Sequence, residues 1–426
     1  MSQVELDFLR QADTTISNLT QLELENQRDH LELVAQDNYT SPSILAVQGS
    51  LLANDDDEGC SFGETERNFQ INEQLEQLAI SRAKQLFGAV QANVRPHSVE
   101  QANLAVILAL LKSGDRILTM SPLYGEPLSC NFGLGLSEDW YRFVHYEINP
   151  DTETIDYEQI RSLALQYRPR LIMCGGTDYP RSLNFERFRA IASEVGAYLL
   201  ADISYFAALV VTGYHPNPLP YCDVVTTTTD QTLRGTRGGL IMTQHPELGK
   251  KIDDAVFSCG QNEPLKYAIA AKAVAFQEAL QPDFAIYVSQ YLANAQALAS
   301  QLQERGLKLV SNDTENHLLL VDLSAIAVTV EVAERLLSQV NIFVNSLPIS
   351  SDSQPFPINH RLCMGSLALT TRGLGVAELT AIGNIIADRL LFPEDDVVAQ
   401  DCYHRVADLC SQYPLYPHLK LQMPRI

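Results

Sequence analysis

Two domains of α/β type are what the sequence predicts: a large one on a mainly parallel sheet, then a smaller α+β one. Three observations carry this. Continuous apolar strands alternate with helices through the first two thirds of the chain, the pattern of a sheet buried on both faces. A chain of 426 residues exceeds one ordinary core. After Pro282-Asp283 the pattern changes to a long helix followed by closely spaced strands. The expected boundaries are an N-terminal helical arm over 1–45, the large domain over 46–283 and the small domain over 284–426.

The elements follow in order. Leucines at helical spacing from Leu6 to Leu33 predict helices in the arm. Leu75, Leu78, Ala79, Ala83 and Leu86 share a face of a helix over 73–86. A strongly apolar helix over 99–112 ends at the turn Ser113-Gly114-Asp115, and strand Arg116–Met120 follows. Arg170–Cys174, Ala197–Asp202, Asp223–Thr229 and Gly239–Thr243 read as further strands, with a helix over Asn184–Val195 and another over 264–282. The small domain reads as helix 284–305, strands Lys308–Ser311 and Leu318–Asp322, helix 331–340 and strand Ile342–Asn345. A strand near 361–364 and helices over 376–391 and 397–411 complete it.

Composition narrows the function. A formal net charge of −22 repels phosphate backbones and anionic lipid, which argues against nucleic-acid and membrane-surface roles. No apolar run approaches the roughly 20 residues of a membrane span. The 8 cysteines form no Cys-x-x-Cys pair, as expected of reduced thiols in a cytoplasmic protein. His97, His215, His317 and His360 lack metal-ligand spacing, so no metal is expected.

Several motifs are specific. They include Leu33-Val34-Ala35-Gln36-Asp37-Asn38-Tyr39 with Gln48-Gly49-Ser50, and Ala92-Asn93-Val94-Arg95-Pro96-His97-Ser98 with Gln101-Ala102-Asn103. Val224–Thr229, Leu233–Gly239, Ala271–Ala275, Asn316-His317-Leu318 and Ala368–Gly373 continue the series. Together they resemble serine hydroxymethyltransferases from about residue 30 to 418. The resemblance implies the fold-type I pyridoxal-phosphate transferase architecture and a homodimer or dimer of dimers. It also implies exchange of a one-carbon unit between serine and tetrahydrofolate.

Departures from the family pattern shape the expectation. Gln231 stands where the resemblance implies the Schiff-base lysine, with Asp230 before it in place of a histidine. An amide nitrogen has its lone pair delocalised into the carbonyl, so it cannot attack an aldehyde. After Ser98, where small residues would cradle a phosphate at a helix N-terminus, the chain has Val99 and Glu100. Asn262-Glu263 replaces a Gly-Gly pair that the family contributes from the neighbouring subunit. Cys363 replaces the arginine that clamps the amino-acid carboxylate, with Arg361 two residues earlier on the same strand face. Tyr124 and Tyr205 replace two histidines of the cofactor site. The acid/base glutamate is retained as Glu58, and Asp202, Thr228 and Arg237 are retained as well.

These changes lead to the expectation of a non-catalytic homologue that acts as a binding or scaffold subunit and uses no cofactor. Its expected partners are a second copy or an active paralogue. The alternative is an active glycine/serine hydroxymethyltransferase drawing an amine from elsewhere, with Lys266 as the closest candidate. A third reading is altered chemistry without a Schiff base, on an aminated cofactor or a new ligand, although Glu100 and Glu263 weigh against a phosphorylated one.

Overall fold

The computed structural model of the protein describes residues 3–54, 66–121, 140–176, 178–258, 264–326, 328–346 and 361–419. Among them the strands are β1 (Leu31–Glu32), β2 (Gln91–Asn93), β3 (Arg116–Met120), β4 (Arg142–Tyr146), β5 (Leu171–Gly175), β6 (Tyr198–Asp202) and β7 (Val224–Thr228). They continue as β8 (Gly239–Thr243), β9 (Lys308–Leu309), β10 (Leu318–Asp322), β11 (Ile342–Phe343), β12 (Asn345–Ser346) and β13 (Arg361–Gly365). The chain divides into two compact units, Ser43–Val288 and Met1–Pro42 with Ser289–Ile426.

The Ser43–Val288 unit holds a seven-stranded sheet in the order β2-β8-β7-β6-β5-β3-β4. Pairing is parallel from β7 to β4, and only β8 runs against its two neighbours. The strands are continuously apolar because both faces are covered. On one face Ile117, Leu171, Met173, Leu200, Val224 and Ile241 pack with Ala102, Val106, Ile252 and Val256. Those last four come from the helices Val99–Leu110 and Pro246–Ser258. Burying a side chain of this size contributes about 1.5–3 kcal/mol.

Local signals set the helix ends. The side chain of Asn184 accepts from the backbone N–H of Arg187 (3.0 Å) to open the helix Phe185–Val195. Gly196, at φ 69°, closes it in the left-handed conformation. Register in the parallel sheet places Cys174 beside Ala201 and Asp202 beside Thr226, so β5, β6 and β7 end together at their C-terminal edge. In open α/β sheets that edge is where ligands bind.

In the second unit, the antiparallel order β12-β13-β10-β9 forms a four-stranded sheet. The sequence pattern sets residues 1–45 apart as an arm, whereas the structure groups Met1–Pro42 with Ser289–Ile426. The physical tie is twofold. β1 pairs in parallel with β11, and the buried Arg372 guanidinium donates to the carbonyls of Arg28, His30, Cys410 and Tyr413. The segment 342–345, one strand by its pattern, is two here: β11 pairs with β1, and β12 pairs with β13. The strand beginning at Lys308 stops at Leu309, because Ser311 turns left-handed at φ 57°.

Candidate active site

The C-terminal edge of β5, β6 and β7 gathers most of the described site residues. Asp202 ends β6 and is 1 % exposed. One of its oxygens accepts from Asn103 Nδ2 (2.8 Å), the other from Ser204 N–H (3.0 Å) and Ser204 Oγ (2.6 Å). Thr226 Oγ1 in turn donates to Asn103 Oδ1 (2.5 Å), which fixes the amide. Burial pushes the Asp202 carboxyl above its ordinary range, the hydrogen bonds from Ser204 and Asn103 act against that, and the charge of Glu100 adds to the rise. Gly175 and Gly176 let the chain lie against this residue. A Cβ at 176 would stand 3.1 Å from the Asp202 carboxyl, and the backbone there has φ +65°.

A hydrogen-bonded run leads from Asp202 to the position of the expected lysine. Ser204 Oγ, which donates to Asp202, accepts from Thr228 N–H (3.0 Å). Thr228 Oγ1 donates to Asp230 Oδ1. Burial raises the Asp230 carboxyl, the Thr228 hydroxyl lowers it, Arg237 lowers it further and Glu100 raises it. Gln231 opens a single 3-10 turn, Gln231–Leu233, with left-handed φ of 45°. The turn is closed by Leu233 N–H to Asp230 O (3.0 Å), Gly235 N–H to Thr229 O (3.0 Å) and Thr229 N–H to Gly238 O (2.9 Å).

Ser98 is the N-cap of Val99–Leu110, its hydroxyl accepting from Gln101 N–H (3.3 Å). Val99 is buried and Glu100 lies in the first turn, where a carboxylate suits the positive end of the helix. Arg237 is exposed and helps line a cavity of about 190 Å³ with Gln48, His97, Tyr267 and Lys272. Burial lowers the His97 imidazole, and the Lys272 charge lowers it further. Tyr205 is buried and hydrogen-bonds Asp178, whose carboxyl burial pushes up to about 6.

Cys363 lies in the other unit. It is buried on β13, opposite Leu320 of β10 and Asn345 of β12. Arg361, at the start of β13, is two residues away on the same face. Glu58, Tyr124, Asn262 and Glu263 lie outside the described residues. Among the described residues no cluster of His, Cys, Asp and Glu could hold a metal ion, and no helix is long and apolar enough to cross a membrane.

Sequence reasoning missed two buried charges. Asp178 is one. Lys272 is the other: it is 2 % exposed, and its Nζ donates to the carbonyls of Val94 (2.6 Å), Pro96 (2.8 Å) and Gly239 (2.9 Å). Burial pushes Lys272 down to about 7, and Asp230 pulls the other way. Its three bonds tie the segment after β2 to the start of β8. Lys266 is also buried, in the first turn of the helix Lys266–Ala279. A lysine within a mostly apolar helix was the available signal for Lys266 and Lys272.

The mainly parallel seven-stranded sheet, with a buried acid at the end of β6 and a tight turn after β7, defines an α/β protein whose candidate site lies at the C-terminal ends of its strands. A sequence model of the serine hydroxymethyltransferase family matches residues 9–386. A serine hydroxymethyltransferase of Nostoc sp. (strain PCC 7120) is 54 % identical over 424 residues, covering 100 % of this chain and 99 % of the relative. Another, of Cyanothece sp. (strain PCC 7425), is 54 % identical over 419 residues, covering 98 % of each. A third, of Microcystis aeruginosa, is 50 % identical over 426 residues and covers both chains completely. The chain belongs to the serine hydroxymethyltransferase family.

That membership corrects one expectation. No cofactor was expected for this chain, yet it belongs at full length to a family whose cofactor is pyridoxal phosphate. Gln231 and Glu100 change single positions, while the frame around Asp202 is intact. The residues fit that group at one end and not at the other. The buried Asp202, braced by Asn103 and Ser204, fits the ring-nitrogen end. Gln231 offers no nucleophilic amine for the aldehyde end, and the adjacent Asp230 is a carboxyl group.

Proposed function

We propose that this chain works in serine–glycine one-carbon exchange, as a serine hydroxymethyltransferase that holds a pyridoxal-phosphate cofactor by contacts alone, without a covalent bond to position 231. The observation that carries the reading is the intact Asp202–Asn103–Thr226 frame in a chain matched end to end by named serine hydroxymethyltransferases. Bound there, the cofactor would supply the electron-withdrawing ring that the protein lacks. The chain's own contribution at that end is Asp202, kept in place on both oxygens, as the partner of the ring nitrogen. A second copy of the chain belongs to the same reading, because the resemblance draws part of the phosphate site from a neighbouring subunit.

The Gln231-Asp230 pair favours a second reading, a non-catalytic subunit that assembles with an active paralogue. One experiment separates the two. The purified chain is loaded with pyridoxal phosphate, treated with borohydride, and split into native and denatured portions before the protein-bound cofactor is measured. Tetrahydrofolate-dependent conversion of serine to glycine is followed in parallel. Cofactor that stays with the native chain and leaves the denatured one, together with turnover, supports the first reading. Failure of the native chain to retain cofactor refutes it and leaves the non-catalytic subunit.

A further inference from the structure

The segment after β2 leads to Ser98, the N-cap of the helix Val99–Leu110, and a single amine helps set its path. Lys272 Nζ donates to the carbonyls of Val94 (2.6 Å), Pro96 (2.8 Å) and Gly239 (2.9 Å). The Pro96 carbonyl also accepts from Gly239 N–H (2.8 Å). Two glycines make room for this arrangement. A Cβ at 238 would stand 2.3 Å from Lys272 Cε, and one at 239 would stand 2.3 Å from the Ser98 carbonyl oxygen. The start of β8 therefore lies against Lys272 at one residue and against Ser98 at the next.

Three carbonyl oxygens that converge on one point repel each other unless a donor stands between them, and an ammonium has one N–H for each. Other ties in the segment act elsewhere. The Arg95 guanidinium donates to Glu76 through Nε (2.7 Å) and Nη2 (2.9 Å), which fixes residue 95 against the helix Glu66–Phe87. His97 N–H donates to Gln101 Oε1 (2.9 Å), and Ser98 Oγ accepts from Gln101 N–H (3.3 Å), so both residues are bonded to the helix they open. Pro96 is the residue that joins this unit to the sheet, two positions before Ser98.

We infer that Lys272 is a positioning residue for the phosphate end of the site: it joins Pro96 to β8 and so fixes Ser98 and the first turn of Val99–Leu110 where the cofactor's phosphate is received. This rests on the proposed holding of a pyridoxal-phosphate cofactor and adds the group that sets one end of it. Lys272 acts through Pro96 and Ser98, without touching the cofactor's ring. A displacement of Ser98 that loses one charge-assisted hydrogen bond to the phosphate weakens binding by roughly 10-fold or more.

The test uses the full chain at mildly acidic pH, where Lys272 carries its proton. The probe is pyridoxine phosphate, which has the cofactor's ring and phosphate with an alcohol in place of the aldehyde, so it forms no imine with an added amine. In Lys272→Ala, calorimetry should show binding weakened by about 10-fold. Hydrogen exchange should quicken over residues 94–101 and around Gly239, while β5 and β6 keep their protection. Propylammonium, entering by the cavity that Lys272 helps line, should restore both properties, and propanol neither. Lys272→Met keeps the apolar stem and serves for the binding and exchange measurements if Lys272→Ala does not fold. Exchange that quickens evenly over the sheet, or not at all, overturns the inference and leaves the proposed function standing. Unchanged binding, or equal effects of propylammonium and propanol, does the same. If the unaltered chain binds no pyridoxine phosphate, both fall.

Discussion

Asp178 offers a stability measurement whose size can be worked from the structure. The side chain is 3 % exposed, and burial holds its carboxyl at about 6 against 3.8 for a free one, even with the Tyr205 hydroxyl donating to it. The unfolded chain loses this proton near pH 3.8, whereas the folded chain keeps it to about 6. Between those values the folded state binds more protons, so stability falls as pH rises. The group costs nothing well below 3.8 and its full penalty above about 6. The gap amounts to about 3 kcal/mol. Asp178→Asn keeps an acceptor for Tyr205 and cannot ionise. Its buried NH2 group adds a cost of about 1–3 kcal/mol that does not vary with pH. The difference between variant and unaltered chain should therefore move in the variant's favour by about 2.5 kcal/mol from pH 4 to pH 8, since a small part of the penalty is already present at pH 4, whatever its constant offset. Urea unfolding of both proteins across that range measures it. A difference that stays flat, or moves the other way, would refute the burial account of Asp178.

Three further outcomes follow from the same contacts. Lys272→Met should lower stability most at alkaline pH, because it takes the donor from the buried carbonyls of Val94, Pro96 and Gly239 at about 1–3 kcal/mol each, whereas as pH falls below about 10.5 the unaltered chain carries a growing penalty from an amine that burial pushes down to about 7; thermal unfolding from pH 7 to pH 10 reads the difference. Asn103→Ala should cost about 2–4 kcal/mol, because it strips a hydrogen bond from buried Asp202 and leaves Thr226 Oγ1 without its acceptor; denaturant midpoints check it. Gly176→Ala should cost about 1–2 kcal/mol from its left-handed backbone alone, and its new methyl should press on the Asp202 carboxyl, weakening cofactor binding more than it lowers the melting temperature.

Much of the fold was legible where the period of the apolar pattern was unambiguous. Arg116–Met120, Gly239–Thr243 and Leu318–Asp322 are strands with the expected ends. The three-residue strand Gln91–Asn93 was not legible, because two polar residues around one alanine carry no period. Helix Tyr157–Tyr167 escaped for a related reason: its buried face holds only Ile160 and Ala164. In the site, Asp202 was legible as an acid at a strand end, but its bracing by Asn103 was not, since those residues lie 99 positions apart. Asp178 gave no local signal at all. What makes it unusual is burial against Tyr205, which only the tertiary fold brings about. Glu100 reads in sequence as a defect in a phosphate cradle. In the structure it also occupies the first turn of a helix that favours a carboxylate there.

The most direct measurement follows the fate of the cofactor on the intact chain. After loading with pyridoxal phosphate and exhaustive dialysis, the protein is reduced with borohydride, denatured and weighed by mass spectrometry. If Gln231 leaves the cofactor held by contacts only, the dialysed native protein carries it and the denatured polypeptide has its unmodified mass. A polypeptide made heavier by one reduced cofactor, with the label on Lys266 or Lys272, would contradict that claim.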